Sequence, residues 1–574
     1  MPEIFILCAG FFGYRLRMTN SEQKSKNMPT KYIFISGGVI SSLGKGITAA
    51  SIAKLLQVKG YKVTNVKCEM YVNIDAGTIR PTEHGEVFVT ADGIETDQDI
   101  GSYERFLGEE LNRANFLTTG QIYQEVIKRE RNLEYKGEDV EVVPHVPEEI
   151  IRRIKIAGKK AIADFVIVEL GGTVGEYQGV LFLEANRMMK LKTPGNVCHV
   201  HVSYLPIPST VGEMKTKPVQ YSVRTLNAAG IQPDFVVGRA ALPLDEKRKE
   251  KISLFCSVPK ANVISNPDMA SIYEVPLVLD EQKMGEKILK FFGLKPKKKD
   301  FQDWKKLVKT IKSVKNEVKI GIVGKYFQSG DFTLEDSYIS IIEAVKHSAW
   351  SLNLKPVIQW LASEKYEKDP KAVEELRNYQ GVIVPGGYGS RGVEGKILAI
   401  EFLRKNKIPF FGLCYGMQLA VIEFARNVVG LKDANTTEIN QKTANPVICL
   451  MSEQEELLKN KKYGDTQRLG NYPCSVLPKT LASRAYGESK QTVERHRHRY
   501  EFNNQFRSAL ESRGLVVSGI NPQRNLVEIV ELKERPFFLG AQFHPEFKSQ
   551  PLKPHPLFKE FIRACSKVSP IVSS

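Results

Sequence analysis

The 574-residue sequence has no C-x-x-C pair among its eight cysteines, no low-complexity tract and no repeat of fixed period. Scattered cysteines argue against a disulfide framework or a zinc site and fit reduced thiols in the cytoplasm. The apolar segment Ile4 to Gly13 is only about ten residues long and lacks a basic start, so neither a membrane span nor a signal peptide is indicated. Acid is the scarcer charge, with 65 Asp and Glu against 82 Lys and Arg, a net charge of +17. The basic residues are spread along the chain, without an RNP, helix-turn-helix or zinc-finger pattern. Small anions such as nucleotides therefore explain the excess better than nucleic acid does.

The chain is too long for one ordinary core. Residues 1–27 read as a disordered extension, because Met28 opens a cleaner globular sequence, "MPTKYIFISGG". Short apolar strands such as "KYIFISGG", "AIADFVIVELGG" and "PGNVCHVHVSY" alternate with helical stretches, the pattern of a parallel sheet with crossover helices. This first domain covers 28–293. A lysine-rich linker with an exposed helix follows at 294–317, and the strand-helix pattern restarts with "VKIGIVGKYF" for a second domain over 318–568, with a tail at 569–574. The expectation is an α/β protein of two doubly wound domains.

Two places carry chemistry. In "FFGLCYGMQ", Cys414 lies between a strand and a helix and is flanked by Gly412 and Gly416, a cysteine version of the nucleophile elbow. A helix N-terminus there lowers a thiol pKa. "GAQFHPEF" supplies His544 as base and Glu546, two residues on, to orient it. The His496/His498 pair alternates with arginines, which disfavours a metal site. The second place is "SGGVISSLGKGI". It resembles a phosphate-binding loop, but the gap from Gly38 to Gly44 is one residue too long, and Gly46 stands where a metal-binding hydroxyl is expected. Lys45 still brings a cation to a helix start. Carboxylates elsewhere must then hold a metal, and Asp99 and Glu169 suit magnesium.

A Cys-His-Glu set in this order resembles the class I glutamine amidotransferases. The resemblance implies that Gly387, in "PGGYGSRGVEGK", donates to the oxyanion, and that Tyr415, Gly416, Met417 and Gln418 line the glutamine pocket. Glu438 would hold the substrate amine and Arg499 its carboxylate. The ordered set "GGVISSLGKGITAASIAKLL", "HGEVFV", "ETDQDIGSYERF", "VVPHVP", "ELGGTVGE", "GEMKTKPVQYSV" and "FCSVP" extends the resemblance, over roughly residues 30 to 565, to the CTP synthases.

That family aminates UTP to CTP with ATP and glutamine. By resemblance, a P-loop synthetase domain precedes the amidotransferase domain. Ser42, Leu43, Gly44, Lys45, Gly46 and Ile47 would cradle ATP, with Lys67 near its phosphates and Asp99 and Glu169 on magnesium. Ser41, Lys215, Thr216, Lys217, Pro218, Val219, Gln220 and Lys251 would grip the pyrimidine nucleotide, and His84 would adjoin the ammonia route. GTP activation, CTP feedback, and homotetramers or filaments are further implications. Another glutamine-dependent ligase, or a nucleotide-switched protein with a dead amidotransferase domain, would not carry "KTKPVQ" and "HGEVFV" beside an intact Cys-His-Glu set.

One segment departs from the family. After "GGTVG", where CTP synthases usually read Asp-Ile-Glu, this chain has Glu176-Tyr177-Gln178, a segment the resemblance places at bound CTP. A carboxylate only accepts hydrogen bonds, whereas an amide also donates, so discrimination between a cytosine amino group and a uracil carbonyl is expected to weaken, unless the Tyr177 ring stacks on the base and restores it. Restoring Asp-Ile-Glu is expected to lower the inhibition constant of CTP by about 5-fold or more, the worth of one polar contact. An unchanged constant would remove this segment from feedback.

Overall fold

The computed structural model describes residues 28–568 apart from 299, 326–327, 330–331, 334, 451–466 and 534. The 1–27 extension and the 569–574 tail lie outside the described residues.

The first half is built on a seven-stranded sheet in the order 116–118, 63–69, 165–170, 31–38, 197–204, 235–240, 263–267. Every pairing is parallel. The strands Lys31–Gly38 and Phe165–Leu170 are buried along their whole length, as strands covered on both faces must be. The order reverses at Lys31–Gly38, which pairs with Phe165–Leu170 on one side and Val197–Tyr204 on the other. The glycine loop leaves the carboxyl end of this strand, where open α/β sheets bind ligands. It then enters the helix Lys45–Val58.

The second half has a nine-stranded sheet in the order 355–362, 317–324, 381–384, 410–413, 538–541, 526–532, 515–521, 468–476, 491–498. The first five run parallel and the last four antiparallel to their neighbours. Both halves thus have the expected sheet-and-helix architecture. No helix among the described residues is long and apolar enough to cross a membrane.

The linker helix differs from expectation. Gln302–Ser313 does form, but Trp304, Leu307 and Val308 are buried in the first half's core. Trp304 packs on Phe106 and Tyr273, and its indole N–H donates to the Tyr273 carbonyl at 2.8 Å. The many lysines of this helix occupy its outer face and mask an apolar stripe at helical spacing.

The halves meet along a polar and aromatic seam. Arg495, fully buried, donates to Glu104 at 2.9 Å and to the Val89 carbonyl at 3.1 Å. Arg497 donates to Glu95 at 2.7 Å, Tyr273 donates to Glu343 at 2.6 Å, and Phe88 packs on Phe547 with centroids 4.9 Å apart. Removing one partner of a buried ion pair strands the other charge, at a cost of about 3–5 kcal/mol. Arg495→Ala is expected to lower the apparent unfolding free energy in urea by that amount. A shift below about 1 kcal/mol, the range of an exposed pair, would mean that the seam is not held by this contact.

Candidate active site

Three adjacent parallel strands deliver the residues expected around Cys414. Gly381–Val384 leads to Gly386 and Gly387, Phe410–Leu413 to Cys414, and Phe538–Ala541 to His544 and Glu546. Leu413 pairs with Ala541, and the Cys414 N–H donates to the Ala541 carbonyl at 2.7 Å, so the thiol and the imidazole leave the sheet side by side. Cys414 has φ 52° and ψ −101°, a strained conformation that persists only where the surroundings enforce it. A Cβ placed on Gly386 would lie 3.7 Å from Cys414 Cβ and 3.8 Å from His544 Nε2, so both groups border one small space. Gln542 Nε2 lies 3.8 Å from the sulfur, and the sulfur 3.7 Å from the Arg497 carbonyl.

His544 Nδ1 hydrogen-bonds Glu546 Oε1 at 2.6 Å, and its ring stacks on Phe547 with centroids 5.0 Å apart. Burial alone would depress the imidazole. The Glu546 carboxylate and then the Cys414 sulfur override it and raise the pKa to about 10. The ring is thus held in its protonated form beside the sulfur.

A cavity of about 270 Å³ opens from these groups. Gly387, Tyr388, Gln467, Arg497 and Arg499 line it on one side, and Gly77, Ile79, Arg80, Pro81, Glu86 and Val87 on the other. Its far wall therefore belongs to the first half. Ile79 and Arg80 also line a second cavity of about 560 Å³ that reaches Tyr71 and His84. His84 lies 3.8 Å from Glu69, whose carboxylate raises the imidazole pKa. Of the remaining residues expected here, Glu438 accepts from the Gly389 N–H at 2.7 Å and Tyr415 donates to the Gly389 carbonyl at 3.1 Å. Met417 is fully buried against Gly540, and Gln418 donates to the Tyr500 carbonyl at 2.9 Å. Tyr415, Gly416, Met417 and Gln418 do not line the cavity. They form the first turn of a buried helix.

The glycine loop shows why position 46 carries no side chain. A Cβ on Gly46 would lie 2.0 Å from Asp99 Oδ1, so the carboxylate fills the place a loop hydroxyl would take. Val39 and Ser42 both have positive φ, 84° and 53°, an outlier for the β-branched Val39. Ser41 and Ser42 are exposed, Leu43 is turned into the core, and Lys45 donates to the Gly172 carbonyl at 2.7 Å. Burial lowers the Lys45 pKa, against the pull of Glu169.

Lys67 sits among four carboxylates. It contacts Asp99 directly, Glu169 at 3.0 Å, Glu69 at 3.2 Å and Asp97 at 3.5 Å. Burial opposes its charge, but the carboxylates raise its pKa well above the usual lysine range. Tyr103 donates to the other oxygen of Glu169. Among the described residues no three or more His, Cys, Asp or Glu side chains are grouped so as to hold a metal ion by themselves. Asp99 and Glu169 nevertheless converge on one cationic point beside the loop, a donor set that fits a hard divalent ion.

The basic segment is divided. Lys217 and Lys251 are exposed and Lys215 pairs with Glu213 at 2.6 Å. Pro218 is half-buried and Val219 is fully buried, while Gln220 donates to Thr216 at 3.1 Å. Glu176 accepts from the Thr173 N–H at 3.1 Å, Gln178 is exposed, and Tyr177 is 95% exposed. His496 and His498 hydrogen-bond each other at 2.9 Å in the core, and burial holds both well below the usual histidine pKa.

Comparison with known proteins places this geometry. The description "CTP synthase N-terminus" matches residues 31–294, and "Glutamine amidotransferase class-I" matches residues 333–564. The CTP synthase of Caldanaerobacter subterraneus subsp. tengcongensis is 49% identical over 536 residues, 93% of this chain and 98% of that protein. The CTP synthase of Sulfurisphaera tokodaii is 49% identical over 540 residues, 94% and 100% of the two chains. This chain belongs to the CTP synthase family. Among solved structures, the Trypanosoma brucei CTPS glutaminase domain with bound acivicin is 37% identical, covers 44% of this chain and 95% of its own, and has a TM-score of 0.40.

Within this CTP synthase fold, sequence reasoning passed over Arg497, Tyr388, Glu95 and the carboxylates Glu69 and Asp97. The signal for Arg497 was present in "RHRHR", since alternate residues of a strand share a face and Arg495 and Arg497 both reach the first half. Gly46→Ser is expected to displace Asp99 and to lower ATP-dependent synthesis by 10²-fold or more, about 3 kcal/mol in the barrier. Glutamine hydrolysis at Cys414 should stay within about twofold. Activity retained in the serine variant would show that Asp99 does not need this space.

Proposed function

We infer that this CTP synthase family member aminates UTP to CTP with ATP and the amide nitrogen of glutamine, and that Cys414, His544 and Glu546 release that nitrogen. The observation that carries the reading is the cavity at the triad, whose far wall is made by Gly77, Ile79, Arg80, Pro81, Glu86 and Val87 of the synthetase half. The thiolate attacks the glutamine amide carbon, and the Gly387 N–H receives the developing oxyanion. The imidazolium gives its proton to the departing nitrogen, leaving a thioester and free ammonia. Water, deprotonated by the same imidazole, then cleaves the thioester to glutamate and restores the sulfur. Glu438 and Arg499 hold the two charged ends of the glutamine, with Tyr415, Gly416, Met417 and Gln418 forming the helix turn behind the sulfur.

Ammonia crosses the cavity past Ile79 and Arg80 towards His84. In the synthetase half the loop from Ser42 to Ile47 takes the ATP phosphates, with Lys45 and Lys67 as counter-charges. Asp99 and Glu169 would hold the magnesium ion that accompanies ATP, which supplies charge neutralisation on the triphosphate. The γ-phosphoryl group moves to O4 of UTP. Ammonia then adds at C4, loses a proton and expels phosphate to give CTP. Ser41, Lys215 to Gln220 and Lys251 bind the pyrimidine triphosphate.

GTP as activator, CTP as feedback inhibitor and a cytoplasmic homotetramer complete the reading. The exposed Tyr177, Val180 and Tyr221, on elements that meet where Gly175 approaches Thr225, support contact with further copies. The seven described cysteines are free, which suits a reducing compartment.

Cys414→Ala is expected to abolish CTP formation from glutamine while leaving formation from ammonium salts within about twofold of the parent, because only the nitrogen source is lost. Lys45→Ala should do the reverse, removing synthesis from either donor and sparing basal glutamine hydrolysis. Continuous absorbance of CTP formation and a glutamate assay read both. A Cys414→Ala protein that ammonium fails to rescue would falsify the division of labour.

A further inference from the structure

Beneath the glycine loop lies a chain of five buried polar side chains that the proposed reaction does not use. It begins at Asn186 on the helix Val180–Lys192, whose Nδ2 lies 2.5 Å from His199 Nδ1. His199 Nε2 lies 2.8 Å from Ser36 Oγ, and Ser36 Oγ lies 2.9 Å from His201 Nδ1. His201 Nε2 lies 2.5 Å from Ser222 Oγ, on the helix Lys217–Ala228. Asn186, His199 and His201 are fully buried, Ser36 is 1% and Ser222 7% exposed. The neighbouring core is apolar, including Phe34, Val168, Met189 and Leu226. An apolar set of the same volume would pack there without the cost of desolvating five polar groups.

The proton count fixes the order of the chain. Each bond needs one donor and one acceptor, and Ser36 has a single hydroxyl proton to place between two rings. With Asn186 donating, His199 accepts at Nδ1 and donates at Nε2. Ser36 then accepts and donates on, and His201 accepts at Nδ1 and donates to Ser222. Both rings must be neutral, and burial holds both imidazoles well below their ordinary pKa, His201 at about 3. Bonds in such a series polarise and strengthen one another.

The two ends of the chain point to its use. Ser36 directly precedes Gly37 and Gly38 of the loop. A Cβ on Gly38 would lie 1.6 Å from Ser222 Oγ and 2.9 Å from His201 Nε2, so loop backbone and helix touch at the last link. Ser222 is five residues beyond Lys217, little more than one turn from the start of the helix that carries Lys217 and Gln220. We propose that Ser36, His199, His201 and Ser222 are positioning residues that hold the basic start of the Lys217–Ala228 helix at a fixed distance from the phosphate loop, and so set the affinity for the pyrimidine triphosphate. The proposal rests on reading Lys215 to Gln220 as part of the UTP grip.

Ser222→Ala removes the last bond with little change of volume, and His201→Phe removes both bonds of the second ring while keeping an aromatic in the core. With the full chain, ammonium as nitrogen donor and saturating ATP, KM for UTP is expected to rise about 5-fold in Ser222→Ala and more in His201→Phe, since one lost hydrogen bond is worth about that factor. The kcat, KM for ATP and glutamine hydrolysis should stay within about twofold. A role in filling space alone predicts that His201→Phe keeps the parent KM for UTP. Folded variants whose KM for UTP stays within twofold overturn the proposal, as does a rise matched by KM for glutamine. If His201→Phe does not fold, Ser222→Ala decides by the same criterion. A parent protein that forms no CTP would instead fell the UTP reading itself, and the two failures are told apart by the parent assay.

Discussion

The ion pairs that Arg495 and Arg497 make across the seam are the contacts on which the rest of the molecule depends. Both side chains leave one strand, Gln491–His498, and both end on carboxylates of the other half, Glu104 and Glu95. The same strand gives its Arg495 carbonyl to the His544 N–H at 2.7 Å and places its Arg497 carbonyl 3.7 Å from the Cys414 sulfur. One stretch of backbone therefore orients the thiol and imidazole, while its side chains fix the wall that faces them. Without that registry the cavity at Cys414 would have no far side. Ammonia released there would meet bulk water and be protonated before it met an electrophile.

The synthetase site is organised by a different balance. Four carboxylates gathered around one ammonium would repel one another if Lys67 were absent, and burial already raises the pKa of Glu169 and Asp97. A pocket of this kind is preorganised for polyvalent charge, because carboxylates and cations are placed before any nucleotide arrives. Gly46 belongs to this design. Its missing side chain is the space in which Asp99 works.

Much of this was legible in the sequence where local chemistry fixes local shape. Gly412 and Gly416 around Cys414 between a strand and a helix announce a sharp turn, and the turn is there with positive φ. The parallel sheets follow from uninterrupted apolar runs such as "FVIVEL", which only burial on both faces can explain. Gly46 was legible as an anomaly, whereas its cause, Asp99, lies 53 positions away and needed the fold. The helix 302–313 was misjudged because its lysines outnumber the three apolar residues that decide its burial. Met417 and Gln418 adjoin the nucleophile in sequence, but a helix turns successive side chains about 100° apart, so neighbours of a catalytic residue point mainly elsewhere. The five-member chain from Asn186 to Ser222 spans two strands and two helices and has no local signature at all.

The ring of Phe547 stacks on His544 within 13° of parallel and also packs against Phe88 across the seam. An aromatic pair of this kind contributes about 0.5–1.5 kcal/mol beyond simple burial. The His544 imidazole is thus seated on a side chain whose other neighbour belongs to the first half. Any loosening of the two halves, by heat or by pressure, reaches the imidazole. Phe547 thus couples the seat of the imidazole to the contact between the two halves, so that the order of the site and the closure of the seam are one packing problem.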